Sequence, residues 1–142
     1  MEYIIPALIT ILGFFAVQRY VAYRVASARF RDIVLRELCD FYPTFTRWDG
    51  GKFGDELASK FAVLQSAVAD FESSLVWYKH RAFRRAWFSY CNATGRECDI
   101  NTYLHYFDSY DPHASTQAEA TAKVQALFRA NVQRLLSYAK EI

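Results

Sequence analysis

The chain has 142 residues, of which 53% are hydrophobic and 18% aromatic, and a net charge of only +2. That length suits one domain, and that composition suits a packed core and not a disordered chain. So small a charge argues against a general nucleic-acid binder, and three Pro with five Gly leave little turn material for an all-β fold.

The first element is apolar. "YIIPALITILGFFAV", Tyr3 to Val17, runs fifteen residues without a charge, short of the roughly 18 of a comfortable membrane span. Arg19 can extend it, because its stem tolerates apolar surroundings while the guanidinium reaches back to headgroups. Tyr3 to Tyr23 then forms one span with Tyr3 at one interface and Arg19, Tyr20, Tyr23 and Arg24 at the other.

Glu2 precedes the run and Arg19, Arg24, Arg29 and Arg31 follow it, the reverse of a cleaved signal peptide. The positive-inside rule places the N-terminus out and the bulk of the chain on the cytoplasmic face of the inner (plasma) membrane. Residues 1–24 are therefore expected to be anchor and exit, and 25–142 a helical cytoplasmic domain. Cys39, Cys91 and Cys98, an odd number, fit free thiols in a reducing compartment. The alternative is a soluble helical protein in which Tyr3–Val17 is a buried helix or an oligomer seam.

Past the span, Phe30, Ile33, Val34, Leu38 and Phe41 recur at helical period, so one helix is expected from Ile4 to Asp40. Pro43 ends it, and Gly50, Gly51 and Gly54 mark a loop over 42–55, with a possible small hairpin between Trp48 and Phe53. A second helix is expected from an N-cap at Asp55, its inner face being Leu57, Phe61, Leu64, Val68 and Phe71. Ser73-Ser74 should break it, since serine hydroxyls compete for backbone groups. A third helix then runs to about Asn92. After a short element at 102–107 and a loop at 108–115, a last helix begins at Thr116. There Thr116 and Glu119 form a capping box, with Val124, Leu127, Phe128, Leu135 and Tyr138 facing inward. The fold expected is all-α: an N-terminal transmembrane helix continuing into a four-helix-type cytoplasmic bundle.

The third helix holds the chief charge asymmetry. Residues 79–96 carry Lys79, Arg81, Arg84, Arg85 and Arg96 with no acid, for +5. In "WYKHRAFRRAWFSY", Trp77 to Tyr90, helical geometry gathers Phe83, Ala86, Trp87 and Tyr90 with Val76 within about 100° as the buried face. Trp77 and Phe88 instead share a face with His80, Arg81, Arg84 and Arg85. The simplest account is a solvated face paired with acids such as Asp70 and Glu72. The functional accounts are contact with anionic membrane lipid, docking of an acidic protein partner, and, last, RNA or single-stranded DNA stacking on Trp77 or Phe88.

Chemistry is poorly represented. Cys91, Cys98, His105 and His113 lack the close pair of a zinc site, so no metal and no cofactor is expected. Asp108, Asp111 and His113 could transfer protons but are also ordinary turn residues. No phosphate loop, nucleophile elbow or HExxH is present, so binding is expected and not catalysis. Asn92-Ala93-Thr94 matches a glycosylation acceptor, which would be silent on the cytoplasmic side.

The N-terminal anchor, the arginine-rich exit and "WYKHRAFRRAW" together resemble small bacterial single-pass membrane-anchored helical proteins. The likeness carries no known activity and no site residue, so nothing is transferred from it.

Overall fold

A computed structural model describes residues 4–46, 53–91, 98, 100, 103 and 115–140, with the side chains of 4–7 and 53 left aside. Among the described residues there are four helices and no strand: α1 (Ile4–Glu37), α2 (Phe53–Ser74), α3 (Trp77–Tyr90) and α4 (Gln117–Leu136).

At 34 residues α1 is about 51 Å long. Pro6 falls in its first turn, where the missing N–H has no intrahelical partner to lose. The helix stops at Glu37, three residues before the expected Asp40. The residue before Pro43 is driven out of the helical region, and the chain turns ahead of it, with Tyr42 N–H and Phe41 N–H both donating to the Leu38 carbonyl.

From Leu8 to Ala22 every residue of α1 is exposed, whichever way it faces. The helix over Leu8–Glu37, of which this stretch is the exposed part, is long and apolar enough to cross a membrane by length and composition. The alternative of a helix buried in the chain's own core is thus corrected: the bundle does not cover it. Packing begins at Tyr23 and Ala26 and continues through Phe30, Val34, Leu38 and Phe41.

α2 returns antiparallel along α1. It starts at Phe53, so Asp55 is not the N-cap; Asp55 and Glu56 lie in the first turn, where carboxylates favour the positive end of the helix dipole. Its inner face is Leu57, Phe61, Leu64, Val68 and Phe71, all buried. Ser73 Oγ and Ser74 Oγ donate to the carbonyls of Asp70 and Phe71 at 2.7 Å, satisfying helix-end acceptors where the chain breaks.

α3 then leads away from the exposed stretch of α1 and α4 leads back. On α4, Thr116 Oγ1 accepts from Glu119 N–H as a cap, but the Glu119 carboxylate reaches Ser115 N–H and Oγ–H instead of completing the box on Thr116. Leu127 does not face inward: it is 49% exposed. Ala120, Phe128, Asn131, Val132, Leu135 and Leu136 form the buried side, centred on Phe128 and Leu135, and at about 100° per residue Leu127 falls at its edge.

Two aromatic clusters fill the core. Near the span, Phe71 stacks on Phe30 at 4.6 Å between ring centroids, Phe83 meets both edge-on, and Tyr138 meets Phe83. The Tyr23 hydroxyl donates to the Tyr138 carbonyl at 2.6 Å, tying α1 to the end of the chain. At the far end, Phe61, Trp87, Tyr90, Tyr103 and Phe128 pack together. The Tyr90 and Tyr103 hydroxyls share a hydrogen bond there.

One expectation about the cysteines is overturned. Cys91 and Cys98 form a disulfide, with Cα atoms 6.0 Å apart, and Cys39 alone is free. Cys91 closes α3, and its Cα spacing to Cys98 is ordinary for a disulfide. Phe53, one end of the expected hairpin, opens α2 instead; residues 47–52, the 102–107 element apart from Tyr103, and Asn92-Ala93-Thr94 lie outside the described residues.

Candidate functional site

The basic face of α3 follows from its spacing. Positions 77, 80, 81, 84, 85 and 88 advance by three or four, so one helical stripe carries them all. Trp77, His80, Arg81, Arg84, Arg85 and Phe88 accordingly line one open groove of about 430 Å3. They are not equivalent within it. Trp77 is 83% exposed, whereas Phe88 is half-buried and packs against the core.

Glu72, at the end of α2, divides the cations. Its side chain is only 15% exposed and its Oε1 accepts from Arg84 Nε at 2.6 Å, with His80 Nδ1 at 3.7 Å. His80 Nε2 lies 3.0 Å from the Leu75 carbonyl, an acceptor only, so Nε2 carries the proton of that bond. Arg84 and His80 therefore bind α3 to the α2–α3 turn. Among the described residues no ion pair engages Arg81 or Arg85. Asp70, the other acid considered, makes no ion pair with α3 among the described residues.

The turn itself forms a second feature. Because α2 runs back along α1, residues 74–79 return to the level of the exposed span. Ala16, Arg19, Tyr20 and Tyr23 on one side and Ser74, Leu75, Val76, Tyr78 and Lys79 on the other enclose a pocket of about 280 Å3. Trp77 and Tyr78, 83% and 64% exposed, project beside it. The first turn of α3 contains no acid, its N-cap Val76 offers no side-chain bond, and Lys79 lies within it. A cation at the positive end of a helix dipole costs about 0.3–1 kcal/mol unless an anion is close.

Of the expected interfacial residues, Arg19, Tyr20 and Tyr23 meet in this pocket. Arg24 lies on another side of α1, in a cleft with Ser27, Arg31, Asp32 and Lys140. Tyr3 lies outside the described residues, as do His105, Asp108, Asp111 and His113. Cys91 and Cys98 are committed to each other, and among the described residues no three His, Cys, Asp or Glu side chains gather as for a metal.

Sequence reasoning passed over Tyr78 and Lys79 as site residues. The signal was present: a break at Ser73-Ser74 after an antiparallel return must deliver the next residues to the span. No protein-family model matches this chain, and neither does any curated protein or solved structure.

Proposed function

We propose that this chain is a membrane-anchored helical module that acts by binding, with the near end of its basic α3 face against anionic lipid headgroups. One observation carries this: the exposed stretch Leu8–Ala22, apolar as far as Val17, ends at the level where exposed Trp77 and Tyr78 project from the α2–α3 turn. An all-round apolar helix that its own chain leaves uncovered needs lipid or another helix around it. Trp and Tyr beside cations are the side chains that bilayer interfaces hold.

A second account has its own support. Arg85 and Phe88 stand about 12 and 16 Å further along α3 than Trp77. They point to an acidic protein partner for the far half of the face, since Arg and aromatic side chains anchor interfaces. RNA or single-stranded DNA has no such support.

Orientation has one argument on each side. Arg19, Arg24, Arg29 and Arg31 favour a cytoplasmic domain; the Cys91–Cys98 disulfide is the chemistry of an oxidising compartment. We adopt the charge rule, because Arg19, Arg24, Arg29 and Arg31 crowd the bundle end of the exposed stretch.

The test is extraction followed by lipid analysis. Full-length protein should stay with membranes in alkaline carbonate and carry anionic phospholipid through purification in mild detergent. Arg81→Gln with Arg85→Gln should lower the number of anionic lipids carried without removing them all. Release by carbonate would overturn the anchor; loss of a co-purifying acidic protein, with lipid unchanged, would favour the second account.

A further inference from the structure

Building on the anchored arrangement, we propose that the pocket between α1 and the α2–α3 turn is a binding site for the phosphate of an anionic phospholipid headgroup. Arg19 stands on the α1 wall and Lys79 on the opposite wall, and the phenols of Tyr20 and Tyr78 complete the rim. Among the described residues neither cation has an ion-pair partner. Among the described residues no carboxylate lines the pocket. This sets it apart from the cleft at Arg24 and Arg31, which contains Asp32 and where Arg31 already donates to the Ala139 carbonyl at 3.3 Å.

Position selects the source of the phosphate. Arg19 and Tyr20 follow directly on the apolar run, so the pocket opens where the apolar surface of α1 gives way to charge. A phosphate carried on two acyl chains can fill it while those chains lie along Leu12, Phe15 and Ala16, all exposed. A free phosphate gains nothing from that apolar wall. The volume, about 280 Å3, suits a headgroup and not a whole lipid. Lys79 gains in addition, since an anion there removes its conflict with the α3 dipole.

Native mass spectrometry of the full-length protein in neutral detergent tests the site. Phosphatidylglycerol is the probe, phosphatidylcholine the zwitterionic control and inorganic phosphate the soluble competitor. Wild-type protein should retain phosphatidylglycerol in preference to phosphatidylcholine. Arg19→Gln and Lys79→Gln should each weaken that retention about fivefold, the effect of one cation near an anionic group. Both residues are exposed, so neither change disturbs the core. Arg81→Gln with Arg85→Gln should leave this one tight lipid in place.

Retention unchanged in Arg19→Gln and Lys79→Gln but lost in the Arg81, Arg85 variant would overturn the pocket and leave the proposed function standing. No preference for phosphatidylglycerol in any protein would overturn both. Displacement by inorganic phosphate at concentrations comparable to the lipid would show a phosphate site without lipid selectivity, and would overturn the headgroup assignment.

Discussion

Arg84 donates from Nε to Glu72 Oε1 at 2.6 Å, and this bond spans the turn between α2 and α3. It joins a guanidinium that is mostly in solvent to a carboxylate that is mostly not. The face that looks uniformly basic on a helical wheel therefore contains an internal fastening and, beside it, two arginines that fasten nothing within the described chain.

Glu72→Gln and Arg84→Gln should consequently differ in one respect and agree in another. Each should lower stability by about 1 kcal/mol, as a charge-assisted hydrogen bond is lost. Only Glu72→Gln should raise affinity for vesicles containing phosphatidylglycerol, because it removes the acid and leaves the arginine. Urea midpoints and vesicle co-flotation measure the two effects. A fall in vesicle affinity for Glu72→Gln would contradict the assignment of Glu72 as a neutralising partner.

Ser27 offers a stabilising change. Its side chain is buried and its Oγ has no hydrogen-bond partner among the described residues. Such a group carries a desolvation cost of about 1–3 kcal/mol. Ser27→Ala removes the hydroxyl and improves helix propensity, so stability should rise by about 1 kcal/mol, seen as a higher urea midpoint with an unchanged slope.

How far these sites were legible in the sequence depended on distance along the chain. The inner faces of α2 and α3 follow from periodicity, and Leu57, Phe61, Leu64, Val68, Phe71, Phe83, Trp87 and Tyr90 are all buried as that periodicity requires. The stripe from Trp77 to Phe88 is likewise a property of one helix. Leu127 shows where this fails: side-chain type suggested the core, but the buried stripe of α4 passes beside it. Its partner relationships are also long-range. That Glu72, and not Asp70, reaches Arg84 depends on the rotation of α2 at its last turn. That Lys79 faces Arg19 depends on an antiparallel return across some 60 residues. The disulfide was missed because an odd cysteine count says nothing of which two thiols a turn brings together.

The Cys91–Cys98 bridge closes a small loop at the end of α3. In the purified, oxidised protein its removal by Cys91→Ser with Cys98→Ser should cost about 2 kcal/mol. Equilibrium unfolding with and without reductant provides the check: the double variant should unfold at the same lower urea concentration under both conditions, and the wild-type protein should join it only when reduced.

Cys39 is exposed and free, so it reports orientation without engineering. With the domain on the cytoplasmic side, a membrane-impermeant maleimide should label Cys39 only after cells are permeabilised. Labelling in intact cells would reverse the orientation and put the disulfide in the compartment its chemistry prefers.

In the proposed anchored state, the continuity of α1 would turn the bilayer into a steering device. No hinge separates the stretch before Tyr23 from the stretch that carries Phe30, Val34 and Glu37. In the proposed anchored state, a change in the lean of the span is transmitted undiminished to the bundle. Over the roughly 27 Å from Tyr20 to Leu38, a 20° lean carries the far end about 9 Å sideways. Lean toward α3 lowers Arg81 and Arg85 onto the headgroups, and lean away lifts them into the aqueous phase. Membrane thickness, which sets that angle, can thus decide whether the free arginines rest on lipid or are presented to a partner.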